Sequence, residues 1–418
     1  MIHRTYALAA GAAIKDKMLN WLRRFNIFCF LDSHGYPGRS FDWLAGAGAR
    51  HRVGAADGPA ALDALAASER WAFGHLAFEL RHAAYGLAGG PQDPIGFPPL
   101  HFFIPEVVLY ARGDTLHIEA ADPDTVWKAL QETPVPAAGP GASIQMEATL
   151  SRAAYLDRIG ALLQHIRRGD CYEINFCQEF HAQAPGLDPL PVYRKLAALS
   201  PTPFGGYYRL DDRYLLCASP ERFLRKQGSE LIAQPIKGTA RRNPGDKAAD
   251  AALREGLYLS PKERAENVMV VDLMRNDLSH VCHDVVVPEL FGLYTFPQVH
   301  QMISTVSGRL HPGTGFSAVL DATFPMGSMT GAPKQRVLEL IRRYEPTARG
   351  LFSGSLGYFH EGDFDFNVVI RSLLYNADTG ALSYQVGSGI TAYCEAAAEW
   401  EECRLKALAL ERAMQDIE

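Results

Sequence analysis

The sequence has no run long and apolar enough to span a bilayer, which takes about 20 residues, and Met1–Gly11 holds no signal-peptide core. Cysteine is scarce: seven in 418 residues, an odd number with no Cys-x-x-Cys pair. That usage argues against a disulfide framework and for reduced thiols in the cytoplasm. None of the seven has a Gly-x-Cys-x-Gly setting, so a fused glutaminase nucleophile is not expected. Positive charge is also short, with 41 Lys and Arg against 47 Asp and Glu and a net charge of −6. There is no electrostatic case for nucleic acid or an anionic membrane. What is present is an ordinary globular composition, 47% hydrophobic and 21% charged, on a chain long enough for more than one domain.

Residues 1–133 are rich in Ala and Gly and sparse in chemistry, and read as scaffold. Phe25–Ser33 predicts a buried strand, and Trp71–Leu80 a strand followed by a helix. Phe102–Tyr110 and Thr115–Ala120 predict a hairpin across Arg112-Gly113-Asp114. Pro134–Gly141 is the one clear linker, and 142–418 is the functional part. There Tyr155, Ile159, Leu162 and Ile166 form a helical stripe that Gly169 ends. Cys171–Phe180 alternates, with Glu173 and Asn175 on one face and Tyr172, Ile174 and Phe176 on the other. An exposed edge carboxylate and a functional one are equally good readings of Glu173.

The densest stretch is Gln234–Arg242. A hairpin, Phe223–Lys226 and Glu230–Ala233 around Gln227-Gly228-Ser229, precedes it. Lys237 then stands at a strand exit, where a partly buried amine loses hydration and becomes a better nucleophile. Taken alone, a solvated surface lysine is the commoner case. Ser219-Pro220-Glu221-Arg222-Phe223 ends another strand, and Glu221 is either an acid or half of a surface pair. Ser260-Pro261-Lys262-Glu263 is a capping box with proline at the first helical position. The helix it opens, to about Leu278, puts Glu263 and Glu266 on one face. Glu395, Glu399, Glu402 and Lys406 line one stripe of a C-terminal helix. Each acidic face alone reads as solvated surface; two that converge would suit Mg²⁺. Val299–Val306 alternates as a strand with His300 and Ser304 on one face, where a lone histidine is more often structural. In Phe324–Lys334, Thr330 and Pro333 lie where a helix begins, and free N–H groups there favour an anion.

These ordered segments, together with Arg349–Gly354, Val369–Ser372 and Glu399–Lys406, resemble the chorismate-utilising enzymes. Pro235-Ile236-Lys237-Gly238-Thr239 is similar to their aminodeoxychorismate synthase component I branch, whereas anthranilate synthases usually carry alanine at the lysine. The resemblance implies an α+β fold: two large, mainly antiparallel sheets packed as a sandwich with outer helices, substrate and Mg²⁺ between them. It implies that Lys237 attacks chorismate while Glu221 is the general acid on the departing C4 hydroxyl. Glu266 and Glu402 would bind Mg²⁺, and Glu263 and Glu399 would hold its waters. Arg371 would pair with a substrate carboxylate, helped by the amides of Gly387 and Gly389. Thr330, His300, Gly354, Lys406 and Thr239 would border the substrate. Ammonia would come from a glutamine amidotransferase subunit (component II), giving 4-amino-4-deoxychorismate for para-aminobenzoate and folate.

Glu173 departs from the pattern, because isochorismate and salicylate synthases place lysine there and aminating relatives usually glutamine; its role stays open. The segment near Leu31-Asp32-Ser33 belongs in relatives to a tryptophan pocket. Three alternatives remain: an anthranilate synthase, which Lys237 disfavours; an isochorismate or salicylate synthase, which Glu173 disfavours; and a silent chorismate- or tryptophan-binding subunit. The intact set Glu221, Lys237, Glu266 and Glu402 argues against the last.

Overall fold

In strand Ile27–Asp32, Phe28 and Phe30 point one way and Ile27 and Cys29 the other, and all four are buried. A strand apolar on both faces must be covered twice. Phe28 and Phe30 join a core with the helix residues Tyr193 and Leu196. Ile27 and Cys29 join another with Phe73 and Phe102 of a second sheet. The architecture of this computed structural model follows from that strand: helices, a sheet, an inner core and a further sheet. It describes residues 1–8, 13–87, 89–136, 143–297 and 299–415. Most of the expected linker, 137–141, falls outside them.

Among the described residues the first sheet has twelve strands and the second ten. Neighbours in both run antiparallel, as where Glu173–Gln183 pairs with Ala381–Thr391 and Ile236–Arg241 with Val299–Leu310. Strands from the first 120 residues lie in both sheets, Ile27–Asp32 in one and Ala72–Leu76 in the other. No described helix is long and apolar enough to cross a membrane.

One expected hairpin is divided differently. Leu100–Ile104 pairs with Ala72–Leu76 in the second sheet, while Val107–Arg112 pairs with Trp43–Ala47 in the first. The chain changes sheets at Pro105-Glu106, where proline has no N–H for a ladder. Val107–Arg112 and Thr115–Ala120 then make the hairpin. The helices come out near their expected bounds. Arg152–Arg168 has its N-terminus capped by the Ser151 hydroxyl, which accepts from the Ala154 N–H at 3.2 Å, and left-handed Gly169 ends it. Pro261–Ser279 is capped by Ser260, whose hydroxyl accepts from the Glu263 N–H at 3.3 Å. It packs on strands Ile236–Arg241 and Val299–Leu310, while Ala396–Ala413 packs on Ala381–Thr391. Two acidic helices distant in sequence are thereby brought close together, with Lys262 of one 3.6 Å from Glu399 Oε1 of the other.

Candidate active site

Lys237 lies inside strand Ile236–Arg241, one residue from its start rather than at a strand exit. Register with the neighbouring strand slips there, from Ile236 opposite Ile303 to Thr239 opposite Gln301. A bulge adds one residue and re-aims the side chains beside it. Gly238, at φ 99°, permits it; a Cβ there would stand 3.1 Å from Glu263 Oε2 and 3.2 Å from Met302 Cβ. The Lys237 carbonyl is held by Asn267, whose Nδ2 donates to it at 3.2 Å, while Asn267 Oδ1 accepts from the Ser304 hydroxyl at 2.6 Å. Asn267 is 1% exposed. It stands on the same helix as Glu263 and Glu266, where the sequence had drawn notice only to the carboxylates.

The Lys237 ammonium donates to Glu173 Oε1, across from the first sheet. Glu173 is 3% exposed, so it is neither an edge residue nor solvated. A Cβ on Gly389 would lie 2.8 Å from Lys237 Nζ and 3.0 Å from Glu173 Oε1. Gly389 therefore faces the pair from mid-strand in Ala381–Thr391, not from a turn. The bareness of this wall leaves room for a ligand. Burial alone would push the lysine down, but Glu173, Glu266 and Glu221 together outweigh it and hold the amine above its ordinary range. This corrects the expectation of an amine made nucleophilic by lost hydration: the resting group is an ammonium.

Glu221 follows strand Arg213–Ser219 and is 4% exposed. Burial lifts its carboxyl to about 7, against the Ser328 hydroxyl, the Lys237 charge, the Ile236 N–H and the Arg371 charge. A carboxyl near 7 can hold a proton at neutral pH and release it to a leaving group. Arg371 has left-handed backbone (φ 50°) and makes no ion pair or side-chain hydrogen bond among the described residues. Burial draws its guanidinium down to about 10, partly offset by Glu221. An enclosed, uncommitted guanidinium is suited to a ligand carboxylate.

Glu266 reaches toward the same amine from helix Pro261–Ser279. Burial raises its carboxyl to about 7, and its buried Oε1 has no hydrogen-bond partner. Lys262 stands between the two acidic helices, 3.8 Å from Glu266 Oε1 and 3.6 Å from Glu399 Oε1. Burial also raises Glu263 and Glu399, the latter with help from Glu402. Glu402 itself ends below its ordinary range, because Lys406 and Lys262 outweigh its burial. Among the described residues no three His, Cys, Asp or Glu side chains are grouped closely enough to hold a metal ion alone. Mg²⁺, though, is commonly held by one or two carboxylates, with waters and substrate oxygens supplying the rest. Hard oxygen donors and an orphaned buried carboxylate oxygen fit that ion.

The remaining expected residues make the following contacts. His300 has both ring nitrogens engaged, Nε2 with Asp250 Oδ1 at 3.1 Å and Nδ1 with the Thr295 hydroxyl at 3.0 Å. Thr330 is buried, its hydroxyl donating to the Met326 carbonyl at 3.0 Å, while its own carbonyl accepts from the Asn175 N–H at 2.7 Å. Thr239 is exposed. Lys406 donates to Glu402 and to the Gly387 carbonyl, both at 2.7 Å, and so pins its helix to the strand below. A Cβ at Gly387 would meet Cys177 Sγ at 2.4 Å, and one at Gly354 the Leu76 carbonyl at 2.2 Å; both glycines serve close packing. The floor is tied by Arg349, 1% exposed, which bonds Glu345 at 2.6 and 2.9 Å, the Met329 carbonyl at 2.7 Å and the Asn175 carbonyl at 2.8 Å. Its signal in the sequence is the i, i+4 pair Glu345–Arg349, which leads into the Arg349–Gly354 segment. Leu31, Asp32 and Ser33 line a separate cavity that Arg39 also lines, packed 3.5 Å over the Phe204 ring.

Comparison with known proteins bears on the family and the fold. A component 1 of aminodeoxychorismate synthase from Klebsiella aerogenes is 40% identical over 301 residues, which is 71% of this chain and 66% of that protein's own length. The chain thus spans just under two thirds of that relative. Anthranilate synthase component 1 of Thermus thermophilus is 33% identical over 361 residues, 82% of this chain and 77% of the relative. Among solved structures, the menaquinone-specific isochorismate synthase of Escherichia coli superposes with a TM-score of 0.78 at 19% identity, covering 99% of this chain and 94% of that one. The two-sheet sandwich is therefore the fold of these enzymes. With residues 39–412 matching its pattern, the chain belongs to the chorismate binding enzyme family.

Proposed function

We propose that this protein converts chorismate and ammonia to 4-amino-4-deoxychorismate, with the ammonia delivered by a glutamine amidotransferase subunit. The observation that carries the reading is a lysine hydrogen-bonded to Glu173 and within reach of the Glu221 charge, with Arg371 acting on Glu221 in turn. In the proposed sequence Arg371 pairs with the enolpyruvyl carboxylate and orients the ring. Lys237 attacks C2 as Glu221 gives its proton to the C4 hydroxyl, which leaves as water. Ammonia then adds at C4 and expels the lysine. A covalent step divides one hard displacement into two easier ones. Glu266 and Glu402 would hold Mg²⁺, with Glu263 and Glu399 on its waters; when bound, the ion would neutralise the ring carboxylate of chorismate.

Similarity to an anthranilate synthase over 82% of the chain supports a second reading, in which the product is anthranilate. One experiment separates them. Protein, chorismate, Mg²⁺ and excess ammonium are incubated and the products resolved by chromatography, with Lys237→Ala in parallel. Aminodeoxychorismate is expected from wild type, with the rate reduced at least about 10²-fold in the variant. Anthranilate, isochorismate or salicylate from wild type would overturn the assignment.

A further inference from the structure

Glu173 has no task in that sequence of steps, yet it is the group hydrogen-bonded to the attacking nitrogen. Its place is built from three sides. Backbone pairing sets Glu173 opposite Thr391 on one flank and Ala332 on the other. Gly331, at φ 142°, lets that second flank close in; a Cβ there would stand 2.0 Å from the Glu173 carbonyl oxygen. Across the cleft, the bulge at Gly238 turns Lys237 toward it, and Gly389 leaves the space beside both groups free of side chain. Two strands of different sheets thus hold a carboxylate against an amine.

The amine cannot attack as an ammonium, because its nitrogen has no lone pair to give. A base must therefore take one proton within the closed cleft. Glu221 is unsuited, since it must keep its own proton for the C4 hydroxyl. Glu263, Glu266 and Glu402 act on Lys237 by charge from the two helices, with no hydrogen bond to Nζ. Arg371 and Lys262 are cations.

We infer that Glu173 is the proton acceptor for Lys237, taking the proton that Nζ must lose before it attacks and returning it when the amine is expelled. This rests on the nucleophilic reading of Lys237. In the first step the Nζ–H bond breaks and its proton goes to Glu173. The freed pair forms the Nζ–C2 bond, the two ring double bonds each shift one position toward C4, and the C4–O bond breaks with its electrons on oxygen, which takes the Glu221 proton and departs as water. In the second, the ammonia pair forms the N–C4 bond, the ring double bonds shift back toward C2, and the C2–Nζ bond breaks toward nitrogen. Glu173 then gives its proton back to the neutral amine, restoring the ion pair. Ammonia bonded at C4 is left with one proton too many, which Glu221 takes up. Proton, electron and atom counts all close without a further reagent.

Glutamine keeps the size of Glu173 and its hydrogen bond from Nζ but accepts no proton. The test follows single-turnover formation of the covalent Lys237 adduct by mass spectrometry, and steady-state turnover with ammonium, in wild type, Glu173→Gln, Glu173→Ala and Lys237→Ala. Expected are a loss of about 10²-fold in adduct formation for Glu173→Gln and recovery of at least about tenfold when formate is added to Glu173→Ala, where a small carboxylate can occupy the vacated space. A purely spatial role would not respond to formate. Adduct formation in Glu173→Gln within about twofold of wild type, or no response of Glu173→Ala to formate, overturns the inference and leaves the nucleophile standing. Full activity in Lys237→Ala instead overturns the reading beneath it.

Discussion

Glu221 and Glu266 are both carboxyls that burial lifts to about 7, yet their surroundings fit them for different work. Glu221 has a hydroxyl and a backbone N–H in contact and an arginine behind it, the setting of a group that exchanges a proton and is stabilised in both states. Glu266 has a buried oxygen without a hydrogen-bond partner. If Glu221 is the acid, activity needs its protonated form. Its raised value keeps that form populated up to about pH 7 and loses it above. The kcat/KM for chorismate should therefore fall toward tenfold per unit on the alkaline side. Glu221→Gln should lower the rate about 10²–10⁴-fold and abolish that limb. A profile flat to pH 9 in wild type would remove Glu221 from this role. At this scale the sequence was legible where a residue sits in a contiguous motif, as Lys237 and Glu221 do. It was not legible where the surroundings come from elsewhere in the chain. Burial of Lys237 suggested a depressed amine, and the three carboxylates that reverse the sign lie 64 residues before it, 16 before it and 29 after it.

Strands and helices carry the next level. Gly389 is flanked by Ser388 and Ile390 in a regular strand, so its lack of a side chain matters for space and not for backbone freedom. Alanine there should fold normally but press on Lys237 Nζ and Glu173 Oε1 at 2.8 and 3.0 Å. Displacing a reacting group by about 1 Å costs on the order of 10²-fold in rate. Gly389→Ala should thus lose most turnover while its thermal midpoint stays within a few degrees of wild type, as circular dichroism would record. Equal loss of both would mean the strand, not the cleft, needs the glycine. Element boundaries were readable at Gly169 and Ser260, where capping chemistry marks them. The sheet change at Pro105 was not, because apolar residues continue on both sides and periodicity says nothing about which sheet a strand joins. His300 illustrates the same limit: alternation placed it on a strand face, but its partner Asp250 comes from helix Lys247–Leu259.

Across the whole molecule, the cleft exists only when both sheets and both acidic helices are in place. Helices Pro261–Ser279 and Ala396–Ala413 are far apart in sequence and are bridged here by Lys262 between Glu266 and Glu399. That lysine is half-exposed and supplies one positive charge against Glu263, Glu266, Glu399 and Glu402. A divalent ion would relieve the remaining repulsion, and only the folded chain can present the carboxylates together. The proposed Mg²⁺ site therefore predicts a coupling between ion and fold. An ion that binds the native state alone adds about 2.7 kcal/mol at 100 times its dissociation constant. Saturating Mg²⁺ should raise the thermal midpoint by a few degrees, and a chelator should reverse the change. Glu266→Gln removes a carboxylate whose buried Oε1 has no hydrogen-bond partner and only a half-exposed lysine at 3.8 Å, so without metal its midpoint should stay within a few degrees of wild type. With Mg²⁺ its midpoint should barely move. Differential scanning calorimetry of both proteins, with and without the ion, measures all four states. An undiminished Mg²⁺ shift in Glu266→Gln would place the ion elsewhere, and no shift in wild type would mean that these helices do not hold it before substrate arrives.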